Sequence, residues 1–500
     1  MAGAFPDDLA YRIVDGEDMT FSDWESESNR LGRALVDAGV EHGDRVAIYL
    51  PAEEALRWVI GYSATHKAGA VAVPTNTRLA RPELVHQLGH AEVRVILCDT
   101  TLEANARHAA EILVRDKAVD REPLVWVAAA GEPAFSWGEL ASSDATTFQV
   151  PVGPDDLADI LYTSGTTGKP KGVGVRHRNA ALVPGDPNPS FSGRCWLHAS
   201  PMFTFAGIGF IYNPMQLGLT GVYQPRFDAG RWMRAVEEMR PMMCFLVPSM
   251  AQLIVAHPSF ATADLSSIQL CAIGSAPLPP ATLVAMQTRM PEASVSNSYG
   301  MTEAGPAYCA MPKGESLNRI GSVGQPMPPL EVRFLDEAGN DVARGEVGEV
   351  VIRLEGRQRE YYRDPDATAG TWKGGWLHSG DLGRMDEDGY LYIVGRKKDV
   401  IIRGGNNIYA SDVESALHDH PDVVDAAVVG MPHQVLGEDV AAFVVLVEGS
   451  PATPEHLRSF VAERLADYKV PRRIDLVDEL PRNATGKVLK ADLRARFASA

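Results

Sequence analysis

Over its first three hundred residues this chain exchanges short apolar runs for helix-patterned segments, and that exchange constrains its fold more than any other feature. RVAIYL at 45–50 leads into the helix-like EEALRWVIGYSATHKAGA; AVAVP then leads into RPELVHQLGHA, and VRVILCD follows at 93–99. Parallel strands cannot be joined by a tight turn, so strand-length runs separated by helices predict parallel sheets with crossover helices. Upstream, Thr20 or Ser22 can cap a helix through Trp24, Leu31, Leu35 and Val36 that Gly39 ends. MCFLVPSM, IQLCAIGSAPLP and ATLVAMQTRM repeat the alternation further along. From Arg319 the chain turns Gly-rich and short-stranded, which predicts a β-rich antiparallel or barrel-like unit over about 319–397. Beyond GRKKD at 395–399, helix patterns (ASDVESALHDH, PEHLRSFVAERLADY) mix with strand patterns (AAVVGM, VAAFVVLV). The expected fold class is a large α/β domain, residues 1–397, followed by a small α+β domain, 398–500, hinged near Lys398.

Composition narrows the partners. Lysine and arginine total 47 against 65 acidic residues, a net charge of -18, which opposes broad binding to nucleic acid or anionic membrane. It permits a local basic pocket. Cys98, Cys195, Cys244, Cys271 and Cys309 are scattered and form no C-x-x-C pair, so neither a disulfide framework nor a zinc site is expected. The early acids of the N-terminal segment do not suit a secretory signal, and no run reaches the ~18 apolar residues of a membrane span. A soluble, cytoplasmic protein is the expectation.

The chemistry begins at YTSGTTGKPKGV, 162–173, directly after the apolar DILY. Backbone N–H groups of a Gly-rich turn and the hydroxyls of Ser164, Thr166 and Thr167 can cradle phosphate oxygens, with Lys169 and Lys171 supplying charge. This is not the P-loop of common nucleoside triphosphatases. Only Thr166 and Thr167 separate Gly165 from Gly168, and Pro170 blocks the helix that a P-loop would start.

The string closely resembles the phosphate loop of the adenylate-forming superfamily, which includes acyl-CoA synthetases, peptide-synthetase adenylation domains and firefly-type luciferases. SYGMTEAG (298–305), GWLHSGDLG (375–383), GRKKDVIIRGGNNIYASDVE (395–414) and PRNATGKVLKADLR (481–494) resemble four further motifs of that family, in its order. The resemblance implies an ATP site built from Thr163, Ser164, Gly165, Thr166, Thr167, Gly168, Lys169 and Lys171. It also implies an adenine wall at Gly274, Ser275, Ala276 and Pro277, adenine contacts from Asn297, Tyr299, Gly300 and Met301, and ribose contacts from Asp381 and Arg396. Thr302 is implied to contact phosphate and Glu303 to hold Mg²⁺. Lys487 is implied to bind the carboxylate and α-phosphate oxygens, where a fixed ammonium stabilises developing negative charge. The same family implies rotation about Lys398, and a tunnel at Gly404 and Gly405 for the pantetheine arm of coenzyme A.

The implied activity is ATP-dependent conversion of a fatty or other hydrophobic acid to its acyl-adenylate, then thioester formation with coenzyme A. Phe203, Thr204, Gly207 and Ile208 fall on the family's acyl-pocket segment, with Thr204 where many acyl-CoA synthetases carry histidine. Adenylation domains for amino acids place an aspartate there. An uncharged Thr204 would leave an α-ammonium unpaired, which disfavours an amino-acid substrate. Medium-to-long fatty, aromatic and alicyclic acids all remain open. Ala410 (proline is common there), Glu360 (glycine) and Arg363 (asparagine) are further departures from the family pattern. An enzyme loading an acyl carrier protein is the runner-up, since that protein presents the same thiol. A luciferase-like oxygenase is remote, and an inactive nucleotide-binding regulator is opposed by retention of Lys169, Thr302, Glu303, Asp381, Arg396 and Lys487 together.

Overall fold

Thr20 caps the first helix as the sequence suggests: its hydroxyl accepts from Asp23 N, and the Asp23 carboxylate accepts from Thr20 N. That reciprocal pair satisfies two orphan donors and starts a helix over Phe21–Asp37, whose Phe21, Trp24, Leu31 and Leu35 are buried. Gly39 follows at φ +82°, a conformation that disfavours a side chain. The computed structural model that carries these features describes residues 1–128, 135–163, 170–180, 193–306, 309–356, 358–483 and 487–498. The chain divides into two units. Met1–Phe245 joins Met301–Gly305 and Arg357–Ala369 in the first; the second gathers Leu246–Gly300, Pro306–Gly356 and Gly370–Ala500.

The first unit holds a sheet in the order Glu360–Tyr361, Lys171–Arg176, Leu157–Thr163, Val71–Pro74, Arg45–Tyr49, Val93–Asp99 and Leu124–Ala128. The last five strands pair in parallel through crossover helices, as the alternation predicts. Lys171–Arg176 pairs antiparallel on both sides, so Thr163 lies opposite Lys171 while Tyr361 lies opposite Val173. A second sheet pairs Met243–Leu246, Cys195–His198, Thr220–Tyr223 and Leu9–Ile13 in parallel.

In the second unit, Leu270–Gly274 and Ser294–Ser298 run parallel. An antiparallel sheet follows in the order Cys309–Ala310, Ser322–Pro326, Leu391–Arg396, Trp376–Met385, Gly348–Arg353 and Glu331–Leu335. Residues 401–497 build their own core around the antiparallel pair Val423–His433 and Gly437–Leu446. Val428, Val440, Ala442 and Val444 face one cluster, while Ala427, Val429, Ala441 and Phe443 face another, the period-two division of a sheet covered on both faces. The helix there starts at Ala410, which is buried. Among the described residues no helix is long and apolar enough to cross a membrane.

Candidate active site

In the first unit the two flanks of the expected phosphate loop end an antiparallel strand pair. Thr163 and Lys171 face each other across its ends. Ser164, Gly165, Thr166, Thr167, Gly168 and Lys169 lie outside the described residues. Lys171 Nζ stands 3.7 Å from Asp364 Oδ2 and 5.1 Å from the centroid of the Tyr361 ring. The Tyr361 hydroxyl donates to Glu303 Oε1 at 2.9 Å. Arg359, only 4% exposed, donates to the Thr302 carbonyl at 2.8 Å, and its guanidinium lies 4.8 Å from the centre of the Phe205 ring. Glu303 therefore sits on a segment held from one side by two residues of 359–361.

The segment expected to line an acyl pocket opens the helix Phe205–Leu217. Thr204 is its N-cap: the hydroxyl accepts from Gly207 N at 3.0 Å and donates to Pro201 O at 2.7 Å. Gly207 admits no side chain, because a Cβ there would lie 2.0 Å from Pro201 O. Ile208 is buried in the core cluster of this unit, and Phe203 is half-buried.

In the second unit, Gly274 pairs with Ser298 and Ile273 with Asn297, so the 274–277 loop and Tyr299 leave the carboxyl ends of neighbouring parallel strands. Ligands of open α/β sheets bind at such ends. Ser275 takes φ +74° at the turn, followed by Ala276 and Pro277. Asp381 is buried on Trp376–Met385, opposite Arg396 in the antiparallel register. Its Oδ2 accepts from the Tyr299 hydroxyl at 2.7 Å, and Oδ1 lies 3.1 Å from Arg396 Nε. Burial, then the neighbouring Asp381 charge, raises the Tyr299 hydroxyl well above its ordinary pKa, so it stays a neutral donor. A carboxylate has about four acceptor sites, so it can serve several donors at once. Gly300 and Met301 continue the chain towards Thr302.

Lys398 lies in the short turn Lys397–Asp399, where burial lowers its pKa. Arg494 pairs with Asp399 at 2.6 Å. Gly404 and Gly405, at φ +57° and +85°, form a two-residue turn between Ile401–Arg403 and Asn406–Ile408. Two positive φ values are what the twist of a tight hairpin needs. The exposed Lys487 is fixed at its backbone, whose N–H donates to Asn483 Oδ1 at 2.9 Å and whose carbonyl accepts from Asn483 N at 2.9 Å.

Residues 1–362 match the family model described as AMP-binding enzyme, and 412–487 match the AMP-binding enzyme C-terminal domain. This chain belongs to the AMP-binding enzyme family. Its relatives place it in the adenylate-forming superfamily. The feruloyl-CoA synthase of an Amycolatopsis species is 37% identical to this AMP-binding enzyme over 490 residues, covering 96% of this chain and 94% of that one. A fatty acid–[acyl-carrier-protein] ligase, ScoC of Streptomyces coeruleorubidus, is 32% identical over 497 residues, covering 97% and 93%. The anthranilate CoA ligase AuaEII, solved with anthranoyl-AMP, superposes with a TM-score of 0.87 at 27% identity, covering 99% of this chain and 96% of that one.

Sequence alone assigns no role to Arg359 or Tyr361. They lie beside the noted departures Glu360 and Arg363, which instead pair with Arg176 and Glu92. A tyrosine and an arginine two apart in an otherwise polar stretch carry no pattern of their own. Their partners are more than fifty residues away.

Proposed function

We propose that this AMP-binding enzyme uses ATP to convert an aromatic carboxylic acid to its acyl-adenylate and then transfers the acyl group to coenzyme A. The observation that carries the nucleotide part is Asp381, a buried carboxylate held between Tyr299 and Arg396 beside the carboxyl ends of two parallel strands. In the first step a carboxylate oxygen of the acid attacks the α-phosphorus, and pyrophosphate leaves. In the second, the thiol sulfur attacks the acyl carbonyl, the thiol proton is lost, and AMP leaves with the bonding electrons. Asp381 and Arg396 orient the ribose, and Lys487 balances the charge that develops during the first step.

Among the described residues no group of three or more His, Cys, Asp or Glu side chains could hold a metal. That fits Mg²⁺, which binds through one or two carboxylates while nucleotide oxygens and water complete its shell. Glu303 is the carboxylate that would hold it, and the bound cation would offset phosphate charge. Residues 398–500 act in this reading as a body turning at Lys398, a role supported by the separate core of 401–497.

An aromatic acid is supported by the named substrates of the feruloyl-CoA synthase and the anthranilate ligase. Trapping the adenylate with hydroxylamine across hydroxycinnamic, benzoic, indolic and fatty acids tests it. Aromatic acids should turn over best, and a strict preference for fatty acids would overturn the reading. ScoC favours a carrier protein as the second acceptor to assay. Faster transfer to a phosphopantetheinylated carrier than to coenzyme A would select it.

A further inference from the structure

We infer that Tyr361 is a positioning residue, an aromatic spacer that keeps Lys171 and Glu303 from collapsing into a mutual ion pair. The inference rests on the ATP-dependent reading of the same site. The Lys171 ammonium stands over the Tyr361 ring, 5.1 Å from its centroid, and the Tyr361 hydroxyl donates to Glu303 Oε1 at 2.9 Å. The cation thus meets the face of the ring and the carboxylate meets its hydroxyl edge. A direct pair would neutralise the ammonium that a triphosphate needs and would occupy the carboxylate that a divalent cation needs. The phenol prevents both losses. Its ring face attracts the ammonium without adding a second carboxylate to that of Asp364. Its hydroxyl takes one lone pair of Glu303 and leaves the rest of the carboxylate for a cation.

The backbone makes this placement rigid. Tyr361 pairs with Val173 across the edge of the sheet, which puts it on the same face as Lys171, one diagonal step away. Tyr361 N donates to Thr368 Oγ1 at 2.9 Å, and Tyr362 N donates to Gly172 O at 2.7 Å. On the carboxylate side, Arg359 secures the neighbouring Thr302 carbonyl. Asp364, 3.7 Å from Lys171 Nζ, draws the ammonium from a second direction.

Calorimetric titration of the full-length protein with ATP, with and without Mg²⁺, separates the two parts of the claim. Tyr361→Phe keeps the spacer and removes the donor. It should raise the Mg²⁺ concentration needed for tight ATP binding about three- to tenfold, with metal-free ATP affinity unchanged. Tyr361→Ala removes both and should weaken metal-free ATP binding about tenfold, because Glu303 then captures Lys171. Adding Glu303→Gln to Tyr361→Ala should restore most of that affinity, a rescue that a merely structural role of the ring would not produce. Equal metal-free ATP affinity in wild type and Tyr361→Ala, or no recovery in the double variant, overturns the spacer. If Tyr361→Ala does not fold, Tyr361→Leu replaces it in both arms. An unchanged Mg²⁺ requirement in Tyr361→Phe overturns the donor. Wild type that binds ATP yet activates no acid would defeat the acid-ligase reading and leave this test intact.

Discussion

At the level of single side chains, Lys487 carries different expectations for the two half-reactions. Lys487→Ala should abolish acyl-adenylate formation while sparing thioester formation from supplied acyl-adenylate. Pyrophosphate release and thioester yield, measured separately, check it; equal loss of both would remove Lys487 from its role. Asp381→Asn presents an amide to Tyr299 and Arg396, which accepts less well than a carboxylate. Its KM for ATP should rise about tenfold or more, with a smaller change in kcat. Thr204 belongs to a different class. Its hydroxyl caps a helix, so Thr204→Ala should cost about 1 kcal/mol in urea unfolding, whatever it does to acid selectivity.

Elements follow their local signals closely where those signals are short-range. The Thr20 cap, the strands at 45–49 and 93–99 and the helix from Ala410 to His418 all stand where composition and periodicity place them. The strand Glu360–Tyr361 does not announce itself. It is two residues long, and it exists because Gly174 and Val173 offer a free sheet edge. Gly207 shows the same limit. Sequence places it in the acyl-pocket segment, whereas its need for no side chain comes from the turn at Pro201 and Met202. Gly207→Ala should therefore destabilise by about 3 kcal/mol or more, read as a fall in the urea midpoint, because backbone on both sides must move. At the turn of residues 397–399, Lys398→Pro should slow thioester formation more than adenylation, in single-turnover assays of each step.

At the scale of the whole molecule, the buried His198 and the half-buried His177 tie stability to pH. Burial lowers His198 to about 3 and His177 to about 4, both below the ~6.5 of an unfolded chain. Between those values the unfolded state binds more protons, so their contribution is intact above about pH 6.5 and is lost as pH falls towards the folded values. The urea midpoint should drop from pH 7 to pH 4, and His198→Phe should make that drop shallower. An identical slope in the variant would remove His198 as a cause. His198 fills its site by packing 4.5 Å from Phe210, centroid to centroid, and by hydrogen bonding to Tyr11, 187 residues away.

The sequence by itself determined the α/β character, the antiparallel middle, the mixed C-terminal segment and the family, and it nominated the residues proposed to meet ATP. Periodicity, capping and contiguous motifs are local, and a chain carries local information in order. Tertiary structure alone decided that Tyr361 stands between Lys171 and Glu303, that Arg359 holds Thr302, that Tyr299 and Arg396 share Asp381, and that Thr204 is a cap. Each of the first three joins groups far apart in the chain. Such contacts exist only once backbone hydrogen bonding has fixed the strands in register and burial has made each polar group find a partner. The strand–helix alternation thus said that parallel sheets would form. Their register said which side chains would meet.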